Sequence, residues 1–270
     1  MTNYKIALVQ AYSDLNQSIN QARLTKMVKR AADNHAKLIV FPEMFMSTVS
    51  SKANLSEINQ HAEPLDGPFV ANAKRAAIDN HVWLIFGMRE TNDDHGDKRV
   101  YNTIVVLDDH GKIVSTYHKT HLYDAFGNRE SDQIKPGNHL FQPIETPFGK
   151  LGLFVCYELR FPEVARYEAI NGADIIIIPT AWVSGPLKEY QWNALLKARA
   201  IENTTFVAGC DKPAKNNRVG LSQVINPMGI VTNQAGSDEE ILYAKINLDQ
   251  IKKVRQKLPS AAQRRPELYR

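Results

Sequence analysis

A chain of 270 residues with 43% hydrophobic and 23% charged side chains is long enough for a sizeable core and has the balance of a soluble globular enzyme. Its net charge of +4 hides a split, because residues 252–270 carry seven basic side chains against Glu267, or +6, which leaves the rest at −2. A solvated basic tail without a basic, aromatic-bearing face argues against nucleic-acid binding, and no apolar run approaches the ~20 residues that cross a bilayer.

The start, Met1 to Lys5, passes straight into a strand-like run with no signal-peptide core. Two cysteines, Cys156 and Cys210, make no disulfide framework, so a reducing cytoplasm is the expected address. Residues 5–10 (KIALVQ) read as a short buried strand and 14–35 as a helix, with Ile19, Ala22, Met27 and Ala31 near helical spacing. Residues 37–41 (KLIVF) form a second strand, halted by Pro42, which puts Glu43 just past a strand's C-terminal end. Residues 47–64 are polar and read as a surface excursion. Gly67-Pro68 opens a helix to about Asn80, with Phe69, Ala73, Ala76 and Ala77 on one side. A strand at 82–88, a loop tip at 91–98, and a hairpin of 102–108 with 112–117 follow. Lys119 comes directly after that hairpin. Residues 120–137 form a long irregular loop, a kind that is often functional.

The grammar then repeats. Residues 151–156 read as a strand ending at Cys156, 161–171 as a helix stopped by Gly172, and 174–179 (DIIIIP) as a fully apolar strand. A helix at 189–203 carries Trp192, Leu195, Leu196 and Arg199 along one stripe. A strand at 205–210, a hairpin of 221–226 with 230–233, a strand at 241–246 and a helix at 248–258 complete the chain. Each half reads strand, helix, strand, helix, strand, hairpin. Two such halves predict an α/β fold of one domain, with two sheets packed face to face and helices outside: a four-layer α-β-β-α sandwich.

Glu43, Lys119 and Cys156 each fall at or just beyond a strand end, and such ends converge on one crevice in α/β sheets. A carboxylate can take the thiol proton, a thiolate can attack a carbonyl or nitrile carbon, and an ammonium can hold the oxyanion. Lysine between acidic groups would keep its charge and lower the thiol pKa, as would a helix start just downstream. Taken alone, Cys156 reads more readily as a small buried core residue, which is what most free cysteines are. His118 and His121 flank Lys119, but no third ligand has zinc spacing, so no metal is expected. No glycine-rich phosphate fingerprint follows a strand.

Three segments carry a family resemblance: Phe41-Pro42-Glu43-Met44, Tyr117-His118-Lys119-Thr120-His121-Leu122, and Cys156-Tyr157-Glu158-Leu159-Arg160-Phe161-Pro162-Glu163. In type, order and spacing they resemble the signatures of the nitrilase (carbon–nitrogen hydrolase) superfamily. Residues 197–203 (KARAIEN), 224–229 (VINPMG) and 264–269 (RRPELY) extend the likeness over essentially the whole chain. The resemblance implies the same sandwich, no cofactor, and a homodimer or higher assembly. It implies Cys156 as nucleophile, Glu43 as general base, Lys119 as oxyanion-stabilising lysine, Glu130 as a second glutamate beside it, and the Tyr157 amide as second oxyanion donor.

The nearest branch looks like the Nit/ω-amidase type, acting on terminal amides of small carboxylated compounds such as 2-oxoglutaramate or deaminated glutathione. The alternatives are an N-carbamoyl amine hydrolase or a nitrilase on the same scaffold, or a non-catalytic binding protein. A Thr-Gly-Pro-Ala-His-Trp-like segment of the animal members reads here Ser184-Gly185-Pro186-Leu187-Lys188-Glu189-Tyr190-Gln191-Trp192, without the histidine. Arg160 is open to two roles, binding a substrate carboxylate or pairing with Glu163 or another acid. Trp182 is open to walling the pocket or packing the core.

Overall fold

Alternating apolar runs and amphipathic segments fold into two six-stranded sheets. The computed structural model describes residues 3–94 and 96–269. Met1 and Thr2 of the start, His95 of the loop tip and Arg270 of the tail lie outside the described residues. In chain order the elements are β1 (Asn3–Gln10), α1 (Gln17–Asp33), β2 (Leu38–Val40), α2 (Leu55–Asn59), α3 (Pro68–Asn80), β3 (Trp83–Glu90), β4 (Tyr101–Leu107) and β5 (Ile113–His118). The second half has β6 (Ile144–Thr146), β7 (Gly149–Leu153), α4 (Pro162–Ile170), β8 (Ile175–Pro179), α5 (Lys188–Asn203), β9 (Phe206–Cys210), β10 (Gln223–Ile225), β11 (Val231–Gln234), β12 (Glu240–Asn247) and α6 (Asp249–Lys257).

The first sheet runs β12-β1-β2-β3-β4-β5 and the second β11-β10-β9-β8-β7-β6. In each, three parallel strands sit at the centre and antiparallel strands flank them. Period-two alternation sorts the first sheet's side chains. Ile6, Leu8, Leu38 and Val40 face the second sheet, with Leu153 and Ile177 in the same core. Ala7, Val9 and Ile39 pack instead on Leu24 and Val28 of α1 and Phe69 and Ala73 of α3. On the far side Trp192, Leu196 and Ala200 of α5 cover the second sheet. This is the expected four-layer sandwich.

Four details differ from the sequence expectation. Helix α1 starts three residues later, because the buried Asn20 side chain binds both backbone groups of Asp14 at 2.8 Å and holds it out of the helix. Asn16 caps the helix instead, accepting from the Ser18 N–H at 2.9 Å. The polar excursion contains α2, closed by an Asn54–Glu57 capping box, with Ile58 buried. The basic tail is partly docked: Arg255 of α6 donates to the Ala173 carbonyl and the Thr204 hydroxyl, and Ile251 is buried.

The fourth difference matters most. Strand β7 ends at Leu153, three residues before Cys156, and pairs with a strand, β6, too short to stand out in the sequence. Cys156 opens a 3₁₀ turn, Cys156–Arg160, with φ of 49°. A non-glycine residue in that left-handed region is strained by about 1–3 kcal/mol and persists only where its surroundings hold it.

Candidate active site

Three chain reversals bring the polar groups together between the sheets. Beyond β2 the chain turns at Glu43 and Met44, the latter with φ of 48°. The turn lies so close to β3 that a Cβ at Gly87 would stand 2.4 Å from the Met44 nitrogen, so only glycine fits. Lys119 follows β5 and donates its N–H to the Asn102 carbonyl at 3.0 Å. Glu158 fixes the third reversal to the second. Its carboxylate accepts from the Val155 N–H (2.7 Å), the Thr120 N–H (2.9 Å) and the Tyr117 hydroxyl (2.7 Å). The segments carrying Lys119 and Cys156 are thus held by one side chain.

Glu43 and Lys119 are 4% and 2% exposed, so water cannot satisfy their charges. Protein does so. The Lys119 ammonium donates to Glu43 Oε1 at 3.0 Å and to Glu130 Oε2 at 2.8 Å. Glu43 Oε1 also accepts from Asn102 Nδ2 at 2.7 Å, and its Oε2 from the Ala181 N–H at 2.9 Å. Glu130 Oε1 lies 3.3 Å from the same Asn102 nitrogen. The Cys156 thiol faces the Glu43 carboxylate across the same cavity, close enough for each to shift the other's pKa.

These contacts set the protonation states. Burial would discharge Lys119, but Glu130 and Glu43 outweigh it and hold the ammonium well above its usual pKa. Burial pushes Glu43 up, yet Lys119, the facing Cys156 thiol and the hydrogen bond from Asn102 win, leaving it below the ordinary carboxylate range. Cys156 departs from expectation. Burial and the Glu43 charge raise its pKa well above that of a free thiol, and Lys119 offsets only part of this. Nor does a downstream helix start change that outcome, since a 3₁₀ turn separates the cysteine from α4. The resting trio is thiol, carboxylate and ammonium.

Tyr157, Arg160 and Trp182 join Glu43, Lys119, Glu130 and Cys156 around a cavity of about 720 Å³. Arg160 has no carboxylate partner among the described residues. It donates to Gln191 Oε1 at 2.7 Å and stacks 4.9 Å from the centre of the buried Trp182 ring. Trp182 therefore both packs and walls the cavity. Cys210 belongs to the core, its thiol donating to the carbonyls of Val40 (3.3 Å) and Val9 (3.6 Å). His118 lies 2.8 Å from Glu90 and stacks on Tyr101; His121 contacts the Thr120 hydroxyl at 2.9 Å.

Several residues of the site escaped the sequence reading. Asn102 bridges the two glutamates from the second position of β4, and a buried-strand polar side chain there was the available signal. Lys212 is buried and donates to the Ser13 and Thr48 hydroxyls at 2.7 and 3.0 Å; burial and the charges of Arg218 and Arg89 push it down to about 7. Lys188 opens α5. Eight basic side chains and three acidic ones line the cavity in all.

A sequence profile described as "Carbon-nitrogen hydrolase" matches residues 5–256. The chain belongs to the carbon–nitrogen hydrolase family. It is 34% identical to a deaminated glutathione amidase of Escherichia coli O157:H7 over 239 residues, 88% of each chain. It is 31% identical to the human omega-amidase NIT2 over 281 residues, covering 100% of this chain and 98% of that one. Nit3 of Saccharomyces cerevisiae, described as a member of branch 10 of the nitrilase superfamily, superposes with a TM-score of 0.86 at 29% identity, covering 98% of this chain and 97% of that one. The chain thus sits on the Nit-like branch of that superfamily and is an enzyme of the amidase type. No described helix is long and apolar enough to cross a membrane.

Proposed function

We propose that this carbon–nitrogen hydrolase is a thiol amidase that cleaves the terminal amide of a small carboxylated compound. The observation that carries the reading is the buried set Glu43–Lys119–Glu130, joined by hydrogen bonds, with the Cys156 thiol facing Glu43. A substrate amide enters the cavity with its carbonyl carbon against the Cys156 sulfur. The thiol proton passes to Glu43 as the S–C bond forms, so no thiolate need exist beforehand. Charge gathers on the carbonyl oxygen, where the Lys119 ammonium and the Tyr157 N–H receive it. The intermediate collapses, Glu43 returns its proton to the leaving nitrogen, and ammonia departs. The acyl group remains as a thioester on Cys156. Glu43 then takes a proton from water, the hydroxide adds to the thioester, and collapse returns acid and free thiol. Glu130 keeps Lys119 charged and oriented throughout.

The carboxylated substrate is supported by the cavity's excess of basic over acidic side chains and by Arg160, whose guanidinium lacks an acid partner. The relatives' names point the same way: one is called a deaminated glutathione amidase, the other an omega-amidase. Two unpaired cysteines suit a reducing compartment such as the cytoplasm. A homodimer is supported by exposed apolar side chains on α5 and the β10–β11 turn, Ile201, Met228 and Ile230 among them.

The test is ammonia release from glutaramate, set beside an N-carbamoyl amino acid and a nitrile. The wild-type chain should prefer glutaramate, and Cys156→Ala should lose about 10⁴-fold or more of the rate. An acyl thioester on Cys156 should appear in the intact mass. Undiminished turnover by Cys156→Ala would sink the reading, and preference for either other substrate would replace the amide.

A further inference from the structure

Lys188 is a largely covered side chain whose ammonium opens on the cavity, and nothing yet described employs it. Its residue is 6% exposed, and its ammonium makes no hydrogen bond or ion pair among the described residues. It sits 3.7 Å over the centre of the Phe126 ring and 5.7 Å over that of Tyr123. An ammonium has three donors to satisfy, and ring faces replace only part of lost hydration. Phe126 is itself 74% exposed, a loose platform that leaves the ammonium's donors free toward the cavity.

The backbone here is firmly set. Leu187 adopts φ of 59°, the Lys188 N–H donates to the Gly185 carbonyl at 3.0 Å, and the Lys188 carbonyl accepts from Trp182 Nε1 at 3.1 Å. The same Trp182 ring carries the Arg160 guanidinium on its face. The one indole therefore carries the Arg160 guanidinium on its face and anchors the Lys188 backbone through its N–H, and Arg160 also reaches into α5 through Gln191. Both line the cavity that Cys156 lines. Their charges oppose each other: burial and then Arg160 lower the Lys188 pKa. An anion placed between them would relieve the repulsion and fill the empty donors. The first turn of the 16-residue α5 adds the positive end of its dipole.

We infer that Lys188 is a substrate-binding residue that, with Arg160, receives the carboxylate at the far end of the amide substrate and sets preference for carboxylated over neutral amides. This deepens the proposed amidase reading and rests on it for the substrate class. Lys188 stands where the Thr-Gly-Pro-Ala-His-Trp-like segment of the resembled members departs from this chain, whereas Arg160 lies in a shared signature segment, so the lysine is the part of the receptor particular to this sequence.

The experiment reads binding, in the Cys156→Ala background so that no turnover disturbs it. Glutaramate and its neutral analogue valeramide are titrated calorimetrically into the background protein and into its Lys188→Met and Lys188→Arg derivatives. Loss of one charge-assisted hydrogen bond should weaken glutaramate about tenfold to a hundredfold in Lys188→Met, and valeramide by much less. Lys188→Arg should recover most of the loss. Parallel loss for both amides would mean a structural role and overturn the inference, as would glutaramate binding that is unchanged in Lys188→Met or no tighter than valeramide in the background protein. Ammonia release is read separately. Lys188-dependent binding without turnover in the wild-type chain would remove the amidase reading and leave the receptor; turnover with Lys188-independent binding would do the reverse.

Discussion

Strands β7 and β9 lie two apart in one sheet, and a buried cysteine follows or closes each. Cys156 is 9% exposed and Cys210 0%. Burial raises both thiol pKa values. Burial therefore does not separate a nucleophile from a packing residue. Their partners do. Cys210 ends its strand in register and gives its proton to backbone carbonyls of the opposite sheet, groups that cannot take it away. Cys156 stands on a strained turn beyond its strand, against a carboxylate that Lys119 and Asn102 keep charged. The comparison teaches that the acceptor, and the groups fixing its charge, make the difference.

The sharpest way to break this contrast is to remove each sulfur. Cys156→Ser should cost about 10⁴-fold or more in kcat/KM, because a hydroxyl gives up its proton far less readily. Cys210→Ala should leave kcat/KM within a few-fold and lower stability by about 1–2 kcal/mol, measured by urea unfolding. Equal losses of activity would end the distinction between the two strand ends.

The next effects come from the acceptor. Glu43→Gln keeps the shape and loses the base, so kcat should fall about 10²- to 10⁴-fold with the fold intact. Lys119→Met should do two things. It removes oxyanion stabilisation, worth about 10²- to 10³-fold. It also strands two glutamates in a buried site, at about 3–5 kcal/mol of stability. Assay and denaturant midpoint together separate the two losses. Asn102→Ala should act more gently, about tenfold on kcat, since one donor to Glu43 disappears while Lys119 remains.

Asn102 also marks where sequence reasoning ran out. Glu43 and Lys119 were legible because Pro42 and a hairpin each fix a strand end, and the end of a strand is a place that can be read along one dimension. The parallel strands and their outer helices were legible by periodicity for the same reason. Asn102 reaches the site through register: it pairs with Arg89 across β3 and β4, and no single strand reveals its cross-strand neighbour. Strand β6 was hidden because three residues carry no period. The left-handed turn at Cys156 was hidden because the sequence there has no glycine to announce it. The thiol's pKa was misjudged for a related reason. The lysine's pull was visible as a charge, whereas burial and the opposing Glu43 charge are properties of the assembled site.

The smallest expected effect tests that protonation balance directly. Glu43 must be ionised to accept a proton, and its pKa lies below the ordinary carboxylate value of 4.5. Activity should therefore persist as pH falls to that value and drop only below it. The Cys156 pKa lies above the free-thiol value of 9.0, so no loss should enter from that side near neutrality. Between those limits kcat/KM should vary by less than about twofold. A thiolate paired with a neutral Glu43 would give the same flat profile, because the pair holds one proton either way. Ultraviolet thiolate absorbance tells them apart. Subtracting the Cys156→Ala spectrum from the wild-type one at neutral pH should leave no thiolate band, and a band should grow only in alkali. A full band at neutrality would reverse the assignment: the nucleophile would be charged in advance, and Glu43 would serve first as acid toward the leaving nitrogen. The same linkage fixes a stability trend. A carboxylate with depressed folded pKa stabilises above its unfolded value and loses that contribution as pH falls through the folded one, so Glu43→Gln should flatten the acid limb of the unfolding midpoint.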